Sequence, residues 1–107
     1  MTLRRAAKRD VNEAEIVKAL KDAGVQVEVI GFPVDLLTWA RMFCPHCKAE
    51  IEGGRVLPIE VKAEDGRLTK AQIEFMARWP GPVPVVRGPV EAVRMALGMP
   101  TEAQEQR

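Results

Sequence analysis

The residues with the most capacity for chemistry lie in Pro58-Ile59-Glu60-Val61-Lys62-Ala63 and, just after it, Gly66-Arg67-Leu68-Thr69-Lys70-Ala71-Gln72. Together they read as a strand, a short turn and the start of a helix. Successive strand side chains point to opposite faces, so Glu60 and Lys62 share one face while Ile59, Val61 and Ala63 share the other. An acid and a base side by side in an otherwise apolar strand are costly unless they are paired or used. Upstream, Gly31-Phe32-Pro33-Val34-Asp35-Leu36-Leu37 places a carboxylate at the start of a second apolar strand. A carboxylate entering one strand and a Glu-x-Lys on the next can converge on one divalent cation and one phosphate. The plainer reading is a Glu-Lys pair at a sheet rim and an Asp in a turn. With Asp35 and Leu68-Thr69-x-x-Gln72 taken together, the pattern favours a site.

The elements that must position these residues can be read in order. Residues 11–23 form a helix, with Asn12 or Asp10 as its cap and Glu13 and Glu15 in a first turn where the helix dipole favours acids. Ile16, Val17 and Leu20 make its apolar stripe. Glu13 falls on that stripe, as a capping acid or as one that reaches over the sheet. Val25, Val27 and Val29 alternate with Gln26 and Glu28 in a first strand. Gly31 and Pro33 turn the chain into a second strand, 35–41, apolar on both faces and therefore central. A loop over 44–54, containing Cys44-Pro45-His46-Cys47 and closed by Gly53-Gly54, leads into a third strand, 56–63. Thr69 caps a helix over 70–79 whose Ile73, Met76 and Ala77 face the core. A short strand over 83–86 contains Pro84, which suits a sheet edge. A last helix runs from Gly88-Pro89 to Leu97 with Val90, Val93, Arg94 and Leu97 at helical spacing. The order is α-β-β-β-α-β-α, an α/β layered domain with a hairpin-rich sheet and helices on both faces.

Global features narrow the function classes. A chain of 107 residues, 47% hydrophobic and 29% charged, suits one compact domain. The net charge of +1 does not by itself announce a nucleic-acid binder. Residues 1–10 form a basic arm with Arg4, Arg5, Lys8 and Arg9, while acids dominate a polar tail over 99–107. No apolar run approaches a membrane span, and no apolar signal core follows the basic residues, so no membrane partner and a cytoplasmic location are expected. Two cysteines in a Cys-x-x-Cys spacing are not an extracellular disulfide framework.

The ordered elements, with Asn12-Glu13-x-x-Ile16, Pro33-Val34-Asp35-Leu36-Leu37, Ile59-Glu60-Val61-Lys62, Gly66-Arg67-Leu68-Thr69-x-x-Gln72 and Gly81-Pro82-Val83-x-Val85-Val86, resemble the virus-type replication-repair nuclease (VRR-NUC) branch of the PD-(D/E)XK phosphodiesterases. The resemblance spans residues 10–97. It departs from the family pattern where Val34 separates Pro33 from Asp35, and the Cys-x-x-Cys insertion is no part of the catalytic pattern. The resemblance implies a restriction-endonuclease-like α-β-β-β-α-β core with a mixed sheet flanked by helices. It also implies catalytic roles for Glu13, Asp35, Glu60, Lys62 and Gln72. Asp35, Glu60 and the backbone carbonyl of Val61 would hold Mg²⁺ or Mn²⁺. Lys62 would orient the attacking water or a phosphate oxygen, and Gln72 would hold Lys62 or substrate. The implied activity is a metal-dependent DNA endonuclease, selective for branched or Holliday-junction DNA, working in a bacterial host cell. A non-catalytic nucleic-acid-binding module of the same fold is the alternative.

Cys44 and Cys47 make half of a zinc knuckle, which a second subunit could complete to four thiolates. Two free thiols, a local disulfide and a small zinc-knuckle interaction protein are the competing readings. A homodimer is expected, because Trp39, Met42, Phe43 and Phe75 look like apolar surface in excess of what the core needs.

Overall fold

The computed structural model describes residues 12–99. The expected basic arm and all but Met99 of the expected tail lie outside the described residues. The order is α1 (Glu13–Asp22), β1 (Gln26–Val29), β2 (Leu36–Phe43), β3 (Glu50–Val61), α2 (Lys70–Arg78), β4 (Val85–Val86) and α3 (Pro89–Leu97). The strands form one four-stranded sheet in the order β1-β2-β3-β4. The first three strands are antiparallel neighbours, while β4 runs parallel to β3, so the sheet is mixed. The parallel step requires a crossover, which α2 and its flanking turns supply.

One face of the sheet holds the core. Leu36 and Ala40 of β2 and Leu57, Ile59 and Val61 of β3 pack with Ile16 and Leu20 of α1 and Ala92 and Ala96 of α3. Alanines four residues apart on α3 let it approach α1 closely. The α3 stripe therefore runs through Ala92 and Ala96, with Val93 and Leu97 at its margin, and the expected member Val90 is exposed. Val25 and Val27 reach the core as expected, but Val29 does not. The second strand is central, yet only alternate residues are buried: Leu36, Thr38 and Ala40 face the core, whereas Leu37 and Trp39 are exposed.

The third strand starts at Glu50, six residues before the expected Val56. Gly53 and Gly54 do not close a loop. They form a bulge inside a hairpin whose pairing resumes with Met42 opposite Ile51 and Phe43 opposite Glu50. The Trp39 indole N–H donates to the Gly53 carbonyl at 2.8 Å, and its ring lies where a Gly54 side chain would be. Gly54 has a φ of 65°, so glycine satisfies both the close approach and the backbone angle. Beyond the bulge, Arg41 grips the Glu50 carboxylate with a two-pronged contact at 2.8 and 2.9 Å. That contact raises the Arg41 pKa and lowers that of Glu50.

The second helix reaches the other side of the sheet at its first turn, where Gln72 meets Glu60, and it buries a different side from the one its periodicity suggests. Phe75 is 8% exposed, while Ile73 is 54% exposed and Ala77 is also exposed. A helix of nine residues has too few apolar positions for spacing to decide its buried face. Phe75 instead gains partners from the chain that follows, stacking on Trp79 at 5.4 Å with Arg78 over its ring. Phe75 is thus removed from the expected excess of exposed apolar surface. Met42, half-buried against the core, is removed as well.

Candidate active site

Glu60 is the second-last residue of β3 and is only 1% exposed. The strand alternation that puts Ile59 and Val61 into the core turns Glu60 and Lys62 to the opposite face. The Lys62 ammonium is 4.0 Å from the Glu60 carboxylate, and both side chains are largely removed from water. Such a pair stabilises little, because the cost of desolvating two ions offsets most of their attraction. Gln72 supplies a further donor: its side-chain amide N–H bonds the same Glu60 oxygen. The Gln72 carbonyl oxygen meanwhile accepts from the Thr69 backbone N–H at 2.8 Å, and the Thr69 hydroxyl accepts from the Gln72 backbone N–H at 3.2 Å. This capping box fixes the first turn of α2 and aims the Gln72 amide at the carboxylate. The expected partner of Gln72 was Lys62 or substrate; the observed one is Glu60.

Asp35 enters from the neighbouring strand. Its backbone carbonyl closes the turn before β2, accepting from Ile30 and Gly31 at 3.0 and 3.1 Å. Its carboxylate accepts from the Val61 backbone N–H at 2.8 Å, which sets it beside the peptide that follows Glu60. The Val61 side chain is wholly buried, so only its backbone is available to the site.

Two residues whose roles the sequence did not disclose hold this end of the sheet together. Asn12 occupies the expected cap position of α1 but makes no capping bond. Its side-chain N–H₂ donates instead to the carbonyls of Lys62, at 3.1 Å, and Arg87, at 2.9 Å. The start of α1 is thereby tied to the ends of both parallel strands. Glu13, next to Asn12, is buried at the head of the Ile16–Leu20 stripe. Arg87, just past β4, donates to the carbonyls of Ala63, Glu64 and Gly66 and so braces the turn that follows Lys62. An Arg directly after a strand and an Asn before a helix are too common to signal such contacts.

The structure thus gathers Asp35, Glu60, Lys62 and Gln72 at one end of β2 and β3, with Glu13 at the adjoining helix start. A cleft of about 220 Å³ beside Gln72 is lined by Phe32, Pro33, Thr69 and Phe75, among others. A larger groove of about 410 Å³ follows Lys21 and residues 24–28, away from the Asp35 and Glu60 carboxylates. Among the described residues no cluster of three or more His, Cys, Asp or Glu side chains could hold a metal ion. Cys44 and Cys47 lie at the far end of the same hairpin, about 30 Å from Asp35 along nine extended residues. Both are free thiols, and backbone N–H groups of Cys47 and His46 lower the Cys44 pKa. No helix among the described residues is long and apolar enough to cross a membrane. The described part of the chain is a small mixed α/β domain, and comparison with known proteins adds no family to that description: no family model, curated protein or solved structure matches it.

Proposed function

We propose that the chain is a metal-dependent deoxyribonuclease that hydrolyses phosphodiester bonds, as its resemblance to VRR-NUC nucleases implies. The observation that carries this reading is Glu60, a carboxylate buried to 1% exposure between Lys62 and Gln72 beside Asp35. A core strand gains little stability from such a group, whereas phosphate chemistry needs this combination of charges. Asp35, Glu60 and the Val61 carbonyl offer hard oxygen donors. Two carboxylates are as many as Mg²⁺ commonly takes beside phosphate and water, so the donors fit Mg²⁺ or Mn²⁺ in kind. A bound ion of this type would lower the pKa of its water and offset charge on the phosphate. Lys62 would hold a phosphate oxygen or orient the attacking water, and Gln72 would keep the Glu60 carboxylate turned to its task. Asn12 and Arg87 would keep the Lys62 backbone in place.

The test is cleavage of linear, flapped and four-way DNA with Mg²⁺ or Mn²⁺ and with excess chelator. Lys62→Ala should lower the rate by about 10²- to 10⁴-fold while circular dichroism stays unchanged. Undiminished cutting by that variant, or cutting in chelator, would overturn the proposal. DNA that is bound but uncut under every condition would support a non-catalytic nucleic-acid-binding module instead.

A further inference from the structure

The tip of the β2–β3 hairpin has no role in the proposed nuclease chemistry, yet its geometry is specific. The Cys44 backbone N–H bonds the Ala49 carbonyl at 2.8 Å, and the Lys48 N–H bonds the Cys44 carbonyl at 2.9 Å. Lys48 adopts a positive φ of 68°, which swings the chain back directly after the second cysteine. Backbone N–H groups of His46 and Cys47 face the Cys44 sulfur, and the Cys47 side chain also lies within hydrogen-bonding reach of it. Both cysteines are therefore held on one tight turn. The Arg41–Glu50 grip and the Phe43–Glu50 pairing hold the stem of that turn. Two sulfurs presented by a knuckle turn are half of a tetrahedral structural zinc site.

Among the described residues the same chain does not bring the other half: no further His, Cys, Asp or Glu side chain joins Cys44 and Cys47 in a group that could hold a metal ion. The sequence carries two cysteines and one histidine. His46, between the two cysteines, does not make a third with them, because no metal-binding group of three His, Cys, Asp or Glu occurs among the described residues. A second copy of the chain supplies the missing pair if a two-fold axis passes through the ion, since such an axis presents the same patch from both partners. The surface beside the knuckle suits that arrangement. Trp39, Phe43 and Val56 are exposed on the hairpin face opposite the core, and no described element covers them.

We propose that Cys44 and Cys47 of two chains bind one Zn²⁺ in a shared four-thiolate site, joining the hairpin tips in a symmetric homodimer. Each bound ion displaces the thiol protons of its four ligands. The proposal is independent of the nuclease reading, and its test uses no cleavage measurement.

The test begins with the full chain purified without added metal. Zinc content is measured by elemental mass spectrometry, and molar mass by light scattering at micromolar concentration. The expected result is about half an equivalent of zinc per chain at twice the 11.9 kDa chain mass. Protein stripped by chelator and titrated with Co²⁺ alone should saturate at one ion per two chains, with the mass doubling in step. Cys47 is exposed at the turn, so Cys47→Ser should fold normally, bind neither metal tightly and remain at the chain mass. One ion per chain at monomer mass would overturn the proposal, as would absence of zinc with two titratable thiols, or a metal-free Cys47→Ser dimer.

Discussion

The demands placed on Gln72 can be separated by a single substitution. A capping box accepts Glu as readily as Gln at this position, and the helix dipole favours the acid. Gln72→Glu therefore preserves the oxygen that accepts from Thr69 and removes only the N–H₂ group that donates to Glu60. In place of that donor it sets a second carboxylate against the first. A hydrogen bond to a charged group contributes about 1.5–3 kcal/mol. Two like charges about 4 Å apart repel by about 4 kcal/mol at an effective dielectric of 20. One of the two carboxyls escapes that repulsion by keeping a proton, which raises its folded-state pKa above the ordinary value of about 4.3. The folded variant then holds more protons than the unfolded chain between about pH 4.3 and the raised value. Stability consequently falls as pH rises through that window and recovers on acidification. The expected loss relative to wild type is about 2–4 kcal/mol at pH 8, most of it recovered at pH 5. Gln72→Ala, which adds no charge, should lose about 1.5–3 kcal/mol at both values. Urea unfolding followed by circular dichroism at the two pH values measures all three proteins. A Gln72→Glu protein as stable as wild type at pH 8 would refute the Gln72–Glu60 contact, and a deficit equal at both pH values would refute the shared proton.

Other consequences concern packing. Gly54→Ala places a side-chain carbon 2.6 Å from both the Ala40 carbonyl and the Trp39 ring, at a positive φ. A loss of about 2–4 kcal/mol is expected from thermal melts. Gly53→Ala, also at positive φ but facing open space, should lose only about 1 kcal/mol. Phe75→Ala should lower stability to urea by about 3–4 kcal/mol and Ile73→Ala by less than about 1 kcal/mol, and the opposite ranking would mean that α2 packs on its other side. Asn12→Ala removes the donors to two carbonyls and should lower equilibrium stability by about 1–3 kcal/mol, whereas a neutral result would show those carbonyls satisfied in another way.

Much of the candidate site was legible because strand alternation is a strict rule. Once Ile59 and Val61 were assigned to the core, Glu60 and Lys62 had to share the other face. The Thr69-x-x-Gln72 spacing located the start of α2 because a capping box is a local signal. The failures lay in contacts that residue spacing does not encode. Which face α2 buries depends on Phe75 meeting Trp79, and this contact outweighed three apolar residues at helical spacing. Gly53-Gly54 read as the close of a loop because glycine usually weakens a strand, but here Trp39 covers a bulge and pairing continues to Glu50. Asn12 looked like a cap because its local context offers nothing else. Its real partners are 50 and 75 residues away in the chain.

Those separations bear on the order in which the molecule assembles. The contacts of the hairpin arm close over short stretches, 14 residues for Trp39 with Gly53 and 9 for Arg41 with Glu50. The Asn12 bridge requires α1, β3 and the far end of β4 to be in place together. Chain-closure entropy favours the short loops first, so the arm is expected to be structured at the folding barrier and the bridge to form beyond it. Removing the bridge would then accelerate unfolding and leave refolding nearly unchanged, while Gly54→Ala would slow refolding. Stopped-flow kinetics of the two variants checks this; slower refolding of Asn12→Ala would reverse the order. Under the expected order, the end of the sheet that carries Asp35, Glu60 and Lys62 is completed last and opens first. A bound ligand there would lengthen the lifetime of the folded chain more than it hastened its formation.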